Sequence, residues 1–289
     1  MHSGRHVKRK RGLWIGLIGL SALVMVSFGH AEVLWHIQKT LKLETGQLDL
    51  AVSENGKWIY ILTDSGEIQI FSSAGRLKGR VPVGKRITQI KAGPGEDLLL
   101  LSIPADKAVQ VLSLEFTQEI NTIGSPVRGD AAAPVSIVLF AEFQCPYCAR
   151  LLPLLEQVLA QNKGKVKLVF KHFPLKMHQF ALAAAVASEV AAKTGEFWVF
   201  HDRLFEAYDQ LSNEKILSIA AELGFDRTQF EKEMKDPALF KKIQADIDDG
   251  LQADVGGVPK VFINGRQLRK RTIEGFQELI DDALKKTAE

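Results

Sequence analysis

The sequence predicts an α/β protein that is preceded by a small antiparallel β module. From about residue 47 to residue 124, short runs alternate apolar and polar residues, as expected for half-buried strands. After residue 134, continuous apolar runs alternate with segments of helical spacing, and a long helical block separates two of the strands. The composition, with 46% hydrophobic and 25% charged residues, is that of a globular protein, which excludes a wholly disordered or disulfide-dense chain.

Residues 1–31 are predicted to be a targeting segment rather than part of the fold. Five Lys and Arg residues precede Leu13–Phe28, a stretch of sixteen residues without charge. As a helix this stretch would be about 24 Å long, short of a hydrocarbon core of roughly 30 Å, but the uncharged run over 12–31 could span it. Gly29 and Ala31 are small, which suits cleavage by signal peptidase. A cleaved signal peptide and an uncleaved inner-membrane anchor both stay open, with a cytosolic core helix as a third alternative.

Charge and compartment limit the partners of the protein. Both membrane-related alternatives place residues 32–289 outside the cytoplasm, in the periplasm or another compartment that permits disulfides. The net charge of the chain is +3, but without the five basic residues of 1–31 the remainder carries −2. A nearly neutral mature protein has no electrostatic footprint for DNA or RNA, so nucleic acid is excluded as a partner.

Within residues 32–124, a turn–strand–turn–strand order occurs twice, about forty residues apart. The first copy has apolar-rich runs at Trp58–Leu62 and Ile68–Phe71, and the second has them at Leu98–Leu101 and Val109–Leu112. This spacing resembles a β-propeller blade, but propellers close with at least about four blades and the chain has two copies. We therefore predict either a small antiparallel sheet packed on its neighbour or part of an assembly, with a structural or docking role.

The second domain is predicted to cover residues 125–289. Residues 124–134 have the small, polar, proline-flanked composition of a linker. Val135–Phe140 is a continuous apolar run, as in a buried strand, and Val166–Phe170 is predicted to be a second strand. Leucine and valine at helical spacing predict a helix from Cys148 to Ala160 between the two strands.

A helical block follows over about residues 179–253. Asp226 has the spacing of a capping box with Gln229, and Asp236 is predicted to be an N-cap that is followed by proline at the first helical position. The last elements are predicted to be a strand, a type I′ hairpin turn and an amphipathic helix, at Val261–Ile263, Asn264-Gly265 and Ile273–Leu284.

The chain has two cysteines, in the sequence Cys145-Pro146-Tyr147-Cys148, shortly after a predicted strand and at the start of a predicted helix. The N–H groups at a helix start favour a thiolate, so Cys145 is predicted to be the exposed, acidic nucleophile. Cys148, one turn further on, is placed to attack a mixed disulfide formed on Cys145. A structural zinc site would need two more ligands at close spacing, so a metal site and a pair of inert cysteines are the alternatives to a redox-active dithiol.

Four segments carry a resemblance to a known family: FAEFQCPYC around the dithiol, LVFKHFPL, GEFWVFHDRLFE and GGVPKVFINGR. Together they resemble the DsbA-like thioredoxin-fold family, over about residue 125 to the C-terminus. The resemblance implies a thioredoxin fold with an inserted helical block. It also implies a protein-disulfide oxidoreductase whose redox-active centre is the CXXC disulfide, with no further cofactor and no metal.

The resemblance also implies roles for the residues beside the cysteines. Val258-Pro259 occupies the position of the family's cis-proline, where the backbone pairs with an extended substrate, although many members have threonine in place of Val258. Pro146 and Tyr147 lie between the cysteines and are implied to tune the redox potential. The expected value lies between thioredoxin at about −270 mV and DsbA at about −120 mV.

Leu139 stands where classical thioredoxin has a buried acid, six residues before the nucleophile. Glu142 is polar and lies closer to Cys145 in the sequence. Two interpretations of Glu142 stay open: a surface carboxylate at the end of a strand, and a group that takes part in proton transfer beside the dithiol.

Three functional hypotheses follow. In the first, an oxidoreductase donates its disulfide to secreted or envelope proteins and is reoxidised by a DsbB- or VKOR-like membrane partner. In the second, the same chemistry serves a disulfide isomerase or reductase of the DsbC/DsbG type, in which the β module forms a homodimer. In the third, residues 32–124 are a binding platform and the thioredoxin fold is accessory.

Overall fold

The computed structural model describes residues 36–94 and 97–288, so the predicted signal peptide or anchor in residues 1–31 lies outside the described residues. The first sheet consists of β1 (Gln47–Val52), β2 (Trp58–Thr63), β3 (Glu67–Ser72) and β4 (Leu77–Pro82). The four strands are antiparallel and lie in sequence order.

A second antiparallel sheet follows, made of β5 (Gln89–Ala92), β6 (Leu98–Ile103) and β7 (Ala108–Ser113). Buried side chains of both sheets, among them Tyr60, Ile68 and Leu99, form one hydrophobic core. Strands β6 and β7 pair with each other as β2 and β3 do, which reflects the sequence repeat. The described residues form two small sheets packed on each other and no propeller, so the propeller-blade resemblance is not confirmed.

The second half of the chain contains a mixed sheet. Its strands are β8 (Val127–Gly129), β9 (Val135–Ala141), β10 (Val166–His172), β11 (Lys260–Ile263) and β12 (Arg266–Gln267). They lie in the order β12-β11-β9-β10-β8, with β9 and β10 parallel and the other neighbours antiparallel. Residues 137–141 of β9 are all buried, so both faces of the strand are covered, which explains its continuous apolar sequence.

Helices pack against this sheet and contribute to the cores on its two faces. The described residues contain α1 (Pro146–Gln161), α2 (Ala181–Ala192), α3 (Phe197–Glu206), α4 (Asn213–Glu222), α5 (Arg227–Glu233), α6 (Pro237–Gln252) and α7 (Ile273–Ala288). Helices α2 to α6 form the block inserted between β10 and β11. The predicted fold class is confirmed: α/β, with a thioredoxin fold, an inserted helical block and a small antiparallel β module. Among the described helices, none has both the length and the apolar sequence needed to cross a membrane.

The prediction that residues 124–134 form a linker is wrong for β8, which pairs with β10. The Arg128 guanidinium donates to both carboxylate oxygens of Asp202, at 2.6 and 2.8 Å, and lies over the Trp198 ring. The Trp198 indole N–H in turn donates to the carbonyl of Val127 at 2.8 Å. Partners on α3 therefore hold this short strand, and the local composition carries no sign of them.

The structure confirms the two predicted N-caps and the predicted type I′ turn. The side chain of Asp226 accepts the N–H of Gln229 at 2.8 Å, which is one half of the predicted capping box. The side chain of Asp236 accepts a backbone N–H at the start of α6. Asn264 and Gly265 have φ of 44° and 80°, as a type I′ turn requires.

Polar contacts join the β module to the second domain. They include Asp97 with Arg269 at 2.8 Å, Glu115 with Arg266 at 2.7 Å, and the Gln118 N–H with the Gly265 carbonyl at 2.8 Å. A cleft of about 300 Å³ lies between the two parts, with the stacked rings of Trp58 and Phe116 in its wall. Ion pairs and a main-chain hydrogen bond thus hold the β module against the β11–β12 hairpin and the residues that directly follow it.

Candidate redox site

Strand β9 and helix α1 place both cysteines at one edge of the central sheet. Cys145 is the N-cap residue of α1, with φ −80° and ψ 117°, and Pro146 occupies the first turn, where its missing N–H breaks no helical hydrogen bond. Cys148 lies in the same turn, and both thiols are free. The prediction that Cys145 is exposed is wrong: each cysteine is 2% exposed, because the chain around Val258 lies against Cys145.

The surroundings of Cys145 favour its thiolate. The pKa of the Cys145 thiol is lowered to about 6, chiefly by a hydrogen bond from the Cys148 thiol, while burial acts in the opposite direction. The backbone N–H groups of Cys148 and Tyr147 lower this pKa further, as expected for a sulfur at a helix N-terminus. Cys145 is therefore mainly thiolate at neutral pH.

Cys148 behaves in the opposite way. Burial raises the pKa of the Cys148 thiol, and the hydrogen bond that it donates to Cys145 raises the pKa further. The negative charges of Cys145 and Glu142 add to this effect, whereas a backbone hydrogen bond from Glu142 opposes it. The folded protein thus pairs an ionised thiol with a protonated one, and of the two it is Cys145 that has the ionisation a nucleophile needs.

The main chain of Val258 and Pro259 lies beside the dithiol. The Val258-Pro259 peptide bond is cis, as the family resemblance implies. The Cys145 sulfur lies 3.8 Å from the Val258 carbonyl oxygen, which it can reach as a donor when the thiol is protonated. Arg271 Nη2 donates to the Pro259 carbonyl at 2.9 Å, just before β11 begins. The structure therefore brings Val258 and Pro259 together with the cysteines.

Tyr147 acts on Cys145 through its main chain. Its side chain is 62% exposed, and the Arg150 guanidinium lies 4.6 Å from the ring centre. The backbone N–H of Tyr147 adds to the lowering of the Cys145 pKa, after the larger effects of the Cys148 thiol and backbone N–H. That Pro146 and Tyr147 set the redox potential stays a prediction.

Glu142 interacts electrostatically with both thiols. It is 1% exposed, so the interpretation as a surface carboxylate is wrong. Oε1 contacts His178 Nδ1, and Oε2 accepts the N–H of Gln144 at 2.7 Å. Burial raises the pKa of Glu142, although His178 and the nearby backbone N–H groups act against the rise. The carboxylate is enclosed because the chain after β10 returns across the end of β9, where the Phe173 N–H donates to the Ala141 carbonyl.

A second buried histidine–glutamate pair lies deeper in the same domain and was not predicted from the sequence. His172 Nε2 and Glu189 Oε1 are 3.0 Å apart, and Lys242 also pairs with Glu189. Burial alone would raise the pKa of Glu189, but its partners His172 and Lys242 lower it overall. The residues come from β10, α2 and α6, so no spacing in the sequence signals that they meet.

A comparison with models of known families identifies the family of the second domain. The sequence profile of the thioredoxin family matches residues 121–282, which is more than half of the chain. The chain therefore belongs to the thioredoxin family.

Individual relatives agree with this fold. Oxidised BdbD from Bacillus subtilis has a TM-score of 0.54 at 22% identity, over 59% of this chain and 98% of that one. A thioredoxin-like oxidoreductase from Silicibacter pomeroyi has a TM-score of 0.50 at 24% identity, over 56% and 92%. The chain is also 37% identical over 142 residues to the Na(+)/H(+) antiporter NhaA 3 of Salinispora tropica, a match that covers 49% of this chain. The match covers 22% of that relative, so the chain spans less than a quarter of its length.

Proposed function

We propose that this protein is an extracytoplasmic thiol:disulfide oxidoreductase that exchanges a Cys145–Cys148 disulfide with the thiols of secreted or envelope proteins. The observation that carries the proposal is the opposed ionisation of the two thiols, because the pKa of Cys145 is lowered to about 6 and that of Cys148 is raised. A thiolate that is stable in the folded protein is both the reactive form of the sulfur and a good leaving group. Membership of the thioredoxin family supports the same chemistry.

Oxidation of a substrate proceeds in two exchanges. A substrate thiolate attacks the Cys145 sulfur of the oxidised protein, the Cys145–Cys148 bond breaks, and Cys148 leaves as a thiolate that takes up a proton. The second substrate thiolate then attacks the substrate sulfur of the mixed disulfide, and Cys145 leaves as a thiolate. The substrate dithiol has lost two electrons and the protein disulfide has gained them. The low pKa of Cys145 favours this second departure.

The main chain at Val258 is suited to hold the substrate during the exchange. Its carbonyl oxygen lies 3.8 Å from the Cys145 sulfur. A backbone carbonyl at this place is suited to pair with an extended substrate chain that is bonded to Cys145. Tyr147, between the cysteines, is 62% exposed, and Met177, which precedes His178, is 81% exposed; both side chains are suited to contact an unfolded chain.

A protein that donates its disulfide needs an oxidant. We propose a DsbB- or VKOR-like membrane protein as the partner that restores the Cys145–Cys148 disulfide. The predicted signal or anchor in residues 1–31 supports this location, because it would deliver the dithiol to the outer side of the inner membrane.

Trapping of substrates tests the proposed function. In cells that express the full chain with Cys148→Ala, we expect mixed disulfides between Cys145 and client proteins, because no thiol remains to resolve them. Non-reducing gels and mass spectrometry detect such complexes. Cys145→Ala is the matched control and should trap nothing. If neither variant forms complexes, or if both form them equally, the proposed function is wrong.

One observation favours a second use of the same chemistry, as a disulfide isomerase or reductase. Strand β7 is an edge strand of the β module, and its Val109 and Val111 side chains are 64% and 66% exposed. Exposed apolar edge strands are surfaces for pairing with another chain. A dimer in solution that Val109→Lys and Val111→Lys convert to a monomer would favour this second function, and a wild-type monomer would exclude it.

A further inference from the structure

The segment that carries Val258 past the dithiol begins against the β module. Residues 253–258 lead from the end of α6 to the Val258 carbonyl oxygen, which lies 3.8 Å from the Cys145 sulfur. The first residues of the segment, Ala253 and Asp254, line the cleft between the β module and the second domain. One end of this segment therefore faces the β module, and the other end lies at the redox site.

An ion pair joins Asp254 to the β module. The Lys57 ammonium contacts Oδ2 of Asp254, a residue 197 positions further along the chain. Lys57 directly precedes β2, and its ammonium also lies 5.0 Å from the centre of the Trp58 ring. Trp58 is 5% exposed, and its ring stacks on Phe116 with 4.3 Å between the ring centres. The cation that contacts Asp254 is thus itself placed by an aromatic pair of the β module.

The backbone at Asp254 favours a different residue. Its φ is 58°, in the left-handed region where glycine is the commonest residue after a helix. The backbone N–H of Asp254 donates to the Leu251 carbonyl at 3.2 Å. The next N–H, that of Val255, donates to the Gly250 carbonyl at 2.8 Å, which completes the end of α6. Glycine would serve this turn as well, so the turn does not explain the carboxylate, whereas the contact with Lys57 does.

Between Asp254 and Val258 the segment has little to fix it. Val255 is buried in the core of the second domain. Gly256 and Gly257 follow, and a Cβ added at either residue would meet nothing within 4 Å. The place of the Val258 main chain therefore depends on how the chain is held before the two glycines, at Asp254 and Val255.

We propose that the β module takes part in disulfide exchange as a positioning element: Lys57 holds Asp254 and thereby sets the place of the Val258 main chain, with which a client polypeptide pairs. The inference rests on the proposed function, because it concerns how a client is held beside Cys145. Lys57 and Asp254 act through Val258 rather than on the sulfur atoms. The β module then matters for the reaction with polypeptides and not for the reaction with small thiols.

The exposure of the ion pair suits positioning more than stabilisation. The Lys57 and Asp254 side chains are 29% and 54% exposed. Ion pairs with this exposure add little to stability, because water screens the two charges. Loss of the pair should therefore leave the melting temperature nearly unchanged. Slower exchange with clients in a variant that melts like the wild type separates a positioning role from a structural one.

Two reducing reagents test the role of the pair. One is a short synthetic peptide with two cysteines, and the other is dithiothreitol, a dithiol without a peptide backbone. Each reduces the Cys145–Cys148 disulfide of the oxidised full chain, which gains the two electrons that the reagent loses. Acid quenching, alkylation and mass spectrometry give the rates. In Lys57→Gln and in Asp254→Asn, we expect the peptide to react about fivefold more slowly, as the loss of an exposed ion pair allows, and dithiothreitol to react as with the wild type.

Further variants show whether this contact is responsible. Asn is also found in the left-handed conformation after helices, so Asp254→Asn removes the charge and keeps the turn. The double variant Lys57→Gln/Asp254→Asn should react with the peptide as each single variant does, because the two residues act through one contact. Lys57→Arg keeps the charge and should restore the wild-type rate. Arg269→Gln is the matched control, since it breaks the Arg269–Asp97 pair between the same two parts but lies outside the segment, and it should change neither rate.

Each other outcome is decisive. A folded single variant that reacts with the peptide at the wild-type rate overturns the inference, and so do losses that add in the double variant or an equal loss with dithiothreitol. If Arg269→Gln slows the peptide reaction as much as Lys57→Gln does, docking of the whole β module rather than this contact is responsible, and the inference is wrong. A wild-type protein that oxidises neither the peptide nor dithiothreitol contradicts the proposed function instead.

Discussion

Cys145 and Cys148 have the same side chain, and their surroundings alone make one acidic and the other inert. Position at the start of α1 gives Cys145 the helix N–H groups and the thiol of Cys148 as donors. One turn later Cys148 has apolar surroundings and neighbouring negative charge. Their positions in the sequence were enough to predict which thiol is the more acidic. They were not enough to predict that both are buried, because the covering chain at Val258 lies 113 residues away.

The burial of Glu142 could not be predicted from the sequence. Its position before Cys145 suggested either a surface group or a proton-transfer group, and the sequence could not decide between them. Its partner His178 is 36 residues away and reaches it only because the chain turns back after β10. Glu142 is buried only because the chain turns back there, and this burial raises its pKa.

Alkylation tests the ionisation of the cysteines. In the reduced protein, iodoacetamide should modify Cys145 at a rate that reaches half of its maximum near pH 6, because the thiolate is the reacting form. The rate should rise with pH through that value and then level off. Cys148 should stay unmodified while the protein is folded, since burial raises its pKa. Mass spectrometry over a pH series measures both sites, and faster labelling of Cys148, or a midpoint near the ordinary value of about 8.5, would contradict the assignment.

Among the elements, those with strong periodicity were predictable and those held by distant partners were not. Strands β9 and β10 and helix α1 follow directly from apolar runs and helical spacing. Strand β8 has three residues in a segment with the composition of a linker, and contacts with α3 hold it in place. The repeat predicted the matched strand pairs of the β module but could not tell packed sheets from a propeller, since that depends on how many copies assemble.

Removal of Arg128 tests how β8 is held. Arg128→Ala should lower the free energy of unfolding by about 1–3 kcal/mol, because it removes the ion pair in which Nη2 contacts both carboxylate oxygens of Asp202, and a cation–π contact with Trp198. Urea unfolding measures the change. Arg76→Ala, at an exposed turn of the β module, is the control and should stay within about 0.5 kcal/mol. Equal stability of the two variants would show that strand pairing alone holds β8.

The stabilisation that the Arg128–Asp202 ion pair gives should depend on pH. Despite burial, hydrogen bonds from His201 and Arg128 lower the pKa of Asp202 in the folded protein. A lowered carboxyl pKa stabilises the fold above the unfolded-state value, and the stabilisation is lost as the pH falls through the folded-state value. The gap in unfolding free energy between wild type and Arg128→Ala should therefore narrow in acid. If the difference in unfolding free energy does not change with pH, it comes from packing of the Arg128 side chain rather than from the ion pair.

On the scale of the whole molecule, charged contacts join two parts that each have a core of their own. Arg266 is central to this junction: its side chain is 15% exposed and pairs with Glu115 of the β module and Asp282 of α7. The two-part organisation was predictable from the change of periodicity along the chain. The contacts between the parts were not, because the partners are more than a hundred residues apart in the sequence.

Two neighbouring arginines test this junction. Arg266→Ala should increase hydrogen exchange over residues 114–124 and lower the free energy of unfolding by about 1–3 kcal/mol, because Glu115 and Asp282 lose a largely buried partner. Arg269, whose side chain is 70% exposed, pairs with Asp97, and Arg269→Ala should change stability by less than about 1 kcal/mol. Identical exchange in both variants would show that apolar contacts, rather than Arg266, hold the module in place.

An equilibrium titration of the full chain against glutathione, read by alkylation and mass spectrometry, tests the redox role of the dithiol most directly. We expect one reversible two-electron transition between the Cys145–Cys148 disulfide and the dithiol. Its midpoint should lie between about −270 mV and about −120 mV, since the Cys145 pKa of about 6 falls between the nucleophiles of thioredoxin, about 7, and DsbA, about 3.5. Cysteines that form no disulfide with each other, or a midpoint below that of thioredoxin, would contradict a disulfide-donating role.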